Sequence, residues 1–172
     1  MMQAMNVPLS IVVMGVEGSG KSTIAEALSE RLDAKFLDAD WFHSPANREK
    51  MAEGHPLSDE DRLPWLRSVG ERVQNESNQG RATVTACSAL KRSYRDRLRE
   101  YVPDIYFVFL DGPLDLVRSR IEGRAHEFAP ASLLASQYAI LEPLEPDENG
   151  IRIDIGQSPK EQVDVIVSTL PH

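Results

Sequence analysis

The feature that most constrains this chain is a glycine-rich segment that fits the pattern G-x-x-x-x-G-K-[ST], and it reads Gly15-Val16-Glu17-Gly18-Ser19-Gly20-Lys21-Ser22. An apolar run at residues 9–14 precedes it, and Ile24, Leu28 and Leu32 follow it at four-residue spacing. These flanks predict a buried strand before the loop and a helix after it. In that context backbone N–H groups and the positive end of the helix surround phosphate oxygens, so the pattern predicts a nucleotide-binding loop.

The loop also carries two side chains with defined roles in phosphoryl transfer. Lys21 reaches the β- and γ-phosphates, and the Ser22 hydroxyl ligates Mg²⁺. The alternative is a glycine-rich turn with an exposed lysine, which the flanking strand and helix disfavour. We therefore predict ATP and Mg²⁺ as cofactors, with ATP bound by Gly15, Val16, Glu17, Gly18, Ser19, Gly20, Lys21, Ser22 and Thr23.

Apolar runs and helical patterns alternate along the rest of the chain. Further strands are predicted at residues 35–37, 82–86, 105–110 and 151–155. Helix start signals stand at Ser58 with Asp61, Ser93 with Asp96, Pro113, Pro130, and Ser158 with Pro159 and Glu161. Pro64 either restarts or kinks the helix that Ser58 begins. The alternation predicts a single three-layer α/β domain over residues 1–172, with a mostly parallel five-stranded sheet.

Charge and cysteine content exclude several classes of partner. The net charge of -8 argues against nucleic acid and anionic membranes, because both require a basic surface. The one cysteine, Cys87, cannot form a disulfide within the chain and is expected to be a small packed residue. No apolar run reaches the roughly 20 residues that span a bilayer, and residues 1–9 have neither the basic region nor the long apolar run of a secretory signal, so we do not expect one. We therefore expect a cytoplasmic location.

Two carboxylates end the second predicted strand, in Asp38-Ala39-Asp40. Residues two apart on an extended segment point to the same side, and ligands of parallel sheets bind beyond the carboxyl ends of the strands. We therefore assign Asp38 to the metal and Asp40 to the base that accepts the proton of an attacking hydroxyl. The alternative is a pair of solvated loop carboxylates.

Candidate contacts to an anionic substrate fall in two segments. In a substrate-binding segment at about residues 42–79, Arg62 offers a planar fork for a carboxylate, and His43 offers a hydrogen bond. The alternatives are a surface ion pair for Arg62 and a structural role for His43. After the third strand, the candidate contacts to a polyhydroxy acid are Ser88, Lys91 and Arg95.

A lid is predicted at about residues 120–135. Arg120 and Arg124 lie four apart on a predicted helix and share a face, and arginines of a closing segment commonly neutralise the transferring phosphoryl group. We assign both to catalysis. The alternative is a solvated basic helix face paired with acidic neighbours. Residues 156–159, after the last strand, are expected to border the adenine.

Together these motifs resemble the gluconokinase family over nearly the whole chain. The nucleotide loop is common to many families, whereas two blocks are more selective: Pro56-Leu57-x-Asp59-x-Asp61-Arg62-x-Pro64-Trp65-Leu66 and Cys87-Ser88-Ala89-Leu90-Lys91. Ser136-Gln137 and Leu141-Glu142-Pro143 continue the likeness. The chain departs from the family pattern at Ala39, which is usually glycine, and at Glu127, where the family tends to carry histidine.

The resemblance implies ATP-dependent, Mg²⁺-dependent phosphorylation of D-gluconate at its 6-hydroxyl, and so a role in gluconate utilization. It also implies a P-loop NTPase fold of the nucleoside-monophosphate-kinase type, often as a homodimer, and it adds Gln137 to the substrate-binding residues. Two alternatives stay open. One is a kinase for another small hydroxy acid such as shikimate, and the other is a nucleotide-binding module without transfer activity.

Overall fold

The computed structural model describes residues 7–124 and 131–170, and within them five strands form one parallel sheet in the order β2-β3-β1-β4-β5. Every strand lies within one residue of its predicted bounds, and the predicted α/β fold with a parallel five-stranded sheet is confirmed. The strands are β1 (Ser10–Met14), β2 (Lys35–Asp38), β3 (Thr83–Ala86), β4 (Tyr106–Asp111) and β5 (Gly150–Asp154).

A 3₁₀ turn at Ala39–Phe42 and seven helices complete the described part of the chain. The capping pairs predicted at Ser58 with Asp61 and at Ser158 with Glu161 are both confirmed as reciprocal capping boxes. The helices are α1 (Lys21–Leu32), α2 (Pro45–Ala52), α3 (Asp59–Asn78), α4 (Arg92–Tyr101), α5 (Leu114–Arg124), α6 (Ala131–Ile140) and α7 (Pro159–Thr169).

The starts of α4 and α3 differ in how far they follow the predicted helix signals. The prediction of Ser93 as an N-cap is wrong, because α4 begins at Arg92 and its first N–H donates to the carboxylate of the distant Glu142 at 2.9 Å. Pro64 does not restart a helix: α3 runs through it, and the carbonyl that proline leaves unpaired belongs to the solvent-exposed Glu60. The signal at Pro130 lies outside the described residues.

Alternate residues of the central strands belong to two hydrophobic clusters, one on each face of the sheet. In β1, Ile11 and Val13 belong to one cluster, while Val12 and Met14 belong to the other. The first cluster packs against α1, α5 and α7, and the second packs against α3 and α4. This is the pattern of a parallel sheet covered on both faces. Of the helices described, none is long and apolar enough to cross a membrane.

The carboxyl edge of the sheet gathers the predicted functional segments. The glycine-rich loop follows β1, Asp38 ends β2, and Cys87 and Ser88 follow β3. β3 lies between β1 and β2, so all three segments meet at one edge. The fold thus places the nucleotide loop next to the two carboxylates.

Candidate active site

The glycine-rich loop between β1 and α1 has an open anion-binding geometry. Gly18 and Gly20 have φ angles of 82° and 99°, which other residues rarely adopt. Gly20 is the N-cap of α1 and, being glycine, brings no side chain to cap its first N–H groups. A Cβ on Gly18 would lie 2.6 Å from Cγ1 of Ile121, so glycine there also lets α5 pack against the loop. The backbone donors at the head of α1 are available to an anion.

The two side chains predicted to act on phosphate and metal lie beside this loop. Lys21 folds back over it, and its Nζ donates to the Val16 carbonyl at 3.0 Å. Ser22 Oγ lies 3.5 Å from Oδ2 of Asp38, which makes a long hydrogen bond. The serine at the start of α1 and the carboxylate at the end of β2 are therefore neighbours across the edge of the sheet.

Asp38 and Asp40 line the same cavity, although not for the reason the sequence suggested. The prediction that both sit on one extended segment is wrong, because Asp40 belongs to the 3₁₀ turn. Asp38 caps that turn by accepting the Asp40 N–H at 2.9 Å. Burial and the nearby Asp40 charge raise the pKa of Asp38, and the bond from the Asp40 N–H opposes this shift. The tight turn, rather than strand alternation, brings the two carboxylates together.

Ala39, where the family usually has glycine, is accommodated without strain. It begins the 3₁₀ turn and is not among the residues with positive φ. Its side chain is buried, and its carbonyl accepts Trp65 Nε1–H at 2.7 Å. The extra methyl group therefore costs the turn no special backbone conformation.

A cavity of about 420 Å³ opens beside these carboxylates, and it is lined by Asp38, Asp40, His43, Arg48, Met51 and Ala52. Sequence reasoning missed Arg48. Its guanidinium donates to the Asp40 carbonyl at 2.6 Å and to the His43 carbonyl at 3.4 Å, so it ties α2 to the turn that carries both residues. The signal that could have revealed it is Ser44-Pro45, an N-cap followed by proline at the first helical position, because this pair fixes the start of α2.

His43 is a buried, neutral side chain on the wall of this cavity. Its ring stacks on Trp65, with the ring centres 4.3 Å apart and the planes 13° apart. It is 8% exposed, and its Nδ1 has no hydrogen-bond partner among residues 7–124 and 131–170. Burial, reinforced by the charges of Arg48 and Arg62, lowers the pKa of His43 to about 4. An unpaired buried nitrogen beside a cavity is a ready hydrogen-bonding group for a ligand hydroxyl.

Arg62 and Lys91 meet around the ring of Tyr94. Arg62 is buried and donates to the Leu57 carbonyl at 2.6 Å and to the Tyr94 hydroxyl at 3.0 Å. Both cations lie over the Tyr94 ring, at 5.2 Å for Arg62 and 5.6 Å for Lys91. Asp59 accepts hydrogen bonds from Tyr94 and Lys91, and these bonds lower the pKa of Asp59. The cluster holds two cations and one carboxylate, and the charge of Arg62 acts on His43.

Arg95 is not in the cleft, so the prediction that it contacts the substrate is wrong. Its side chain is fully buried and forms a two-pronged ion pair with Glu148, at 2.7 and 2.9 Å. Ser88, by contrast, is partly exposed at the carboxyl end of β3, and its carbonyl accepts the Gly15 N–H at 3.3 Å. Of the two, only Ser88 stands where a ligand can reach it.

Cys87 provides an internal marker of charge at the edge of the sheet. Burial raises the pKa of its thiol to about 12, and the charges of Asp40, Lys21 and Asp38 also act on it. The charges of Asp38, Asp40 and Lys21, the three groups predicted to act on metal, hydroxyl and phosphate, therefore all reach the buried Cys87 thiol. The predicted role of Cys87 as a packed residue agrees with its burial.

A second, smaller cavity lies on the α5 and α7 side of the nucleotide loop. It measures about 200 Å³ and is lined by Gly18, Ser19, Gly20, Thr23, Ile24, Arg120, Gln157, Pro159 and Gln162. Arg120 donates to the Ile155 carbonyl at 2.8 Å, which holds it at this wall. Gln157 and Pro159 belong to the segment expected to border the adenine. Arg124 ends α5, and its side chain lies outside the described part of the structure, as do His126 and Glu127.

Gln137 contacts the nucleotide loop rather than the acceptor cavity. Its Oε1 accepts the Glu17 N–H at 2.6 Å, which joins α6 to the loop after β1. The sequence had placed Gln137 among the substrate contacts. The structure instead brings it to the nucleotide end of the cleft.

Comparison with known proteins agrees with this geometry. A family model described as an AAA domain matches residues 11–144. The thermosensitive gluconokinase of Escherichia coli K12 is 43% identical over 147 residues, which cover 85% of this chain and 79% of that protein. The chain belongs to the gluconokinase family. This membership confirms the resemblance seen in the sequence.

Solved structures extend the family likeness to three dimensions. The gluconokinase of Sinorhizobium meliloti 1021 superposes with a TM-score of 0.85 at 42% identity, covering 95% of this chain and 92% of its own. A sugar kinase from Janibacter sp. HTCC2649, in an unliganded structure, gives a TM-score of 0.91 at 48% identity, covering 94% and 93%. The gluconokinase family fold thus extends over nearly all of this chain.

Proposed function

We propose that this protein transfers the γ-phosphate of ATP to the 6-hydroxyl of D-gluconate, giving 6-phospho-D-gluconate. The observation that carries the proposal is the placement of an anion-binding loop at the head of α1 beside a cavity lined by Asp38 and Asp40. Phosphoryl transfer needs positioned cations at the phosphate and a proton acceptor at the attacking hydroxyl. Both kinds of group are present at this edge of the sheet.

In the proposed reaction, Asp40 orients the 6-hydroxyl and accepts its proton as the oxygen attacks the γ-phosphorus. Lys21 exchanges its bond to the Val16 carbonyl for the β- and γ-phosphates, and so offsets the charge that develops there. The bond between the γ-phosphorus and the β–γ bridging oxygen breaks, and ADP leaves with that oxygen. Residues 15–23 hold the triphosphate through backbone N–H groups.

Mg²⁺ fits the oxygen pair of Ser22 and Asp38, whose side-chain oxygens lie 3.5 Å apart. No cluster of three or more acidic, histidine or cysteine ligands occurs within residues 7–124 and 131–170. That agrees with a metal held by one or two protein oxygens plus phosphate oxygens and water, as Mg²⁺ usually is at kinase sites. Bound there, Mg²⁺ would neutralise phosphate charge. Ser22 and Asp38 would position it.

We propose that the sugar acid is recognised by neutral and cationic groups around the acceptor cavity. His43 supplies a hydrogen bond from its unpaired, buried ring, and Ser88 offers a hydroxyl. Arg62 and Lys91 provide the positive charge that a carboxylate requires. Gln137 and Arg95 do not contact the sugar acid in this proposal. Gln137 accepts the Glu17 N–H of the nucleotide loop, and Arg95 is buried against Glu148.

We further propose that residues 120–135 act as a lid over the nucleotide. Arg120 already lies at a cavity beside Gly18 and Gly20, where it can meet the nucleotide. Arg124 follows one turn later on α5 and is assigned to the transferring phosphoryl group. Residues 42–79 form the substrate-binding segment on the acceptor side of the cleft.

A panel of sugar acids with Mg²⁺ and ATP tests the proposal. Gluconate, other aldonates and shikimate are each incubated with the protein, and ADP release is followed together with the mass of the product. We expect turnover with gluconate and a phosphate on C6, located by phosphorus–proton coupling in NMR. The Lys21→Ala protein serves as the inactive control. Preference for shikimate or another acid would reassign the substrate, and ATP binding without any phosphorylated product would favour a non-catalytic module.

A further inference from the structure

The ion pair between Arg95 of α4 and Glu148 is an unusual feature outside the catalytic groups. Both side chains are fully buried. Each of the five guanidinium N–H groups of Arg95 finds an acceptor: two on Glu148, and one each on the carbonyls of Ala89, Leu90 and Pro143. Burial alone would raise the pKa of Glu148, but hydrogen bonds from Arg95, the Glu145 N–H and Arg99 hold it at about 2. The pair is therefore charged and completely satisfied.

A buried ion pair is a poor source of stability, because removing two charges from water offsets most of their attraction. Unlike apolar packing, it fixes the positions of its partners through directional hydrogen bonds. Here those bonds hold one backbone segment. Arg95 Nη1 donates to the Ala89 carbonyl at 2.9 Å and to the Leu90 carbonyl at 3.4 Å. These carbonyls lie between Ser88 and Lys91, the two residues assigned to the sugar acid.

The segment held by Arg95 has a backbone conformation that needs support. Ala89 has a φ of 43°, in the left-handed region that residues with a side chain seldom occupy. The Leu90 carbonyl accepts a second bond, from the Glu142 N–H at 2.7 Å. Ser88 is tied to the nucleotide loop by the Gly15 N–H. Arg95 and Glu148 thus anchor the middle of a short loop whose ends carry the proposed substrate contacts.

We propose that Arg95 and Glu148 are positioning residues for the acceptor: by fixing the carbonyls of Ala89 and Leu90, they hold Ser88 and Lys91 in the arrangement that binds the sugar acid. Neither residue touches the substrate. The inference rests on the proposed function, because it takes gluconate as the ligand of Ser88 and Lys91. It specifies that loss of the ion pair weakens binding at the acceptor end of the cleft more than at the nucleotide end.

Steady-state kinetics of Arg95→Lys in the full chain tests this role. A lysine retains the charge opposite Glu148 but cannot reach both Glu148 and two loop carbonyls. We expect the KM for gluconate to rise about tenfold or more, while the KM for ATP stays within about twofold of the wild-type value. Glu148→Gln, which keeps the shape and weakens the pair, should give the same split. Thermal unfolding of each variant establishes that it is folded at the assay temperature, and whichever of the two folds is scored.

The matched control is Arg99→Gln, because Arg99 also binds Glu148 but donates no hydrogen bond to Ala89 or Leu90. It should lower the unfolding temperature without separating the two KM values. Parallel changes in both KM values for Arg95→Lys, an unchanged gluconate KM, or the same split in Arg99→Gln would each overturn the positioning role. Failure of the wild-type protein to phosphorylate gluconate would instead overturn the proposed function, and this inference with it.

Discussion

The nucleotide end of the cleft presents its charge largely through backbone groups of one continuous segment, residues 15–22, at the head of α1. The acceptor end presents its charge through side chains from separate elements that bond to one another. His43 stacks on Trp65, and Arg62 and Lys91 share the ring of Tyr94. The geometry of a backbone site depends on residues that are close in sequence. The geometry of a side-chain network depends on residues that are distant in sequence and meet only in the folded chain.

This difference predicts how each end responds to substitution. At the nucleotide end, removal of one side chain should affect turnover and leave stability almost unchanged, because the loop keeps its backbone. At the acceptor end, buried groups satisfy one another, so a substitution should alter binding and stability together.

Of the substitutions that compare the two ends, the largest effect is expected for Lys21→Ala. Loss of this preorganised donor should remove roughly 3 kcal/mol or more of transition-state stabilisation. The value of kcat/KM should then fall at least about a hundredfold. The free energy of unfolding should change little, because the bond that Lys21 donates within the described residues is to the Val16 carbonyl, and the side chain is partly exposed. A coupled assay and urea unfolding measure the two quantities. Lys35→Ala, an exposed lysine at the start of β2, is the control, and near-normal turnover in Lys21→Ala would contradict the role of the loop.

A smaller, mixed effect is expected for Arg62→Lys. Lysine cannot serve both the Leu57 carbonyl and the Tyr94 hydroxyl as the Arg62 guanidinium does. We expect a loss of about 2–3 kcal/mol of transition-state stabilisation, seen as a lower kcat/KM for gluconate. The free energy of unfolding should also fall measurably, with the KM for ATP unchanged. Arg67→Lys, on the same helix but exposed and paired with the exposed Glu71, is the control. If the two variants behave alike, Arg62 has no special place in the acceptor site.

The smallest effect concerns the dependence of stability on pH at His43. Its pKa falls from 6.5 in the unfolded chain to about 4 in the folded protein, so the unfolded chain binds the proton more readily. Stability should therefore be complete above pH 6.5 and decline as the pH falls toward 4, by about 2 kcal/mol between pH 7 and pH 5. Urea unfolding followed by circular dichroism measures it. His43→Gln should remove most of that slope, and an unchanged slope would show that His43 is not buried as a neutral group.

Much of the fold was predictable because its signals are local. The run at residues 9–14 and the glycine-rich loop predicted β1 and α1, and the capping pairs at Ser58 and Ser158 located the starts of α3 and α7. The nucleotide loop was also predictable, because its pattern lies within eight consecutive residues, 15–22. Hydrogen bonds and backbone angles within a few residues are enough to determine these features.

The acceptor end was only partly predictable because its partners are distant in sequence. Arg62 and Arg95 are both arginines in polar blocks, and only the position of Glu148, 53 residues after Arg95, shows that Arg95 is held in the interior. In the same way, Glu142 rather than Ser93 caps α4. Asp38 and Asp40 were predicted to share a site, but the turn that joins them required the backbone bond from the Asp40 N–H.

If a carboxylate at the acceptor cavity receives a proton while the loop holds the phosphate, Asp40→Asn should slow the reaction without weakening the binding of ATP. The amide keeps the size of the side chain but is a far weaker proton acceptor. We predict that kcat for gluconate falls by about 10²–10⁴-fold, while the dissociation constant of a non-hydrolysable ATP analogue, measured by calorimetry, stays within about threefold of the wild-type value. Turnover close to wild type in Asp40→Asn would show that Asp40 is not the proton acceptor.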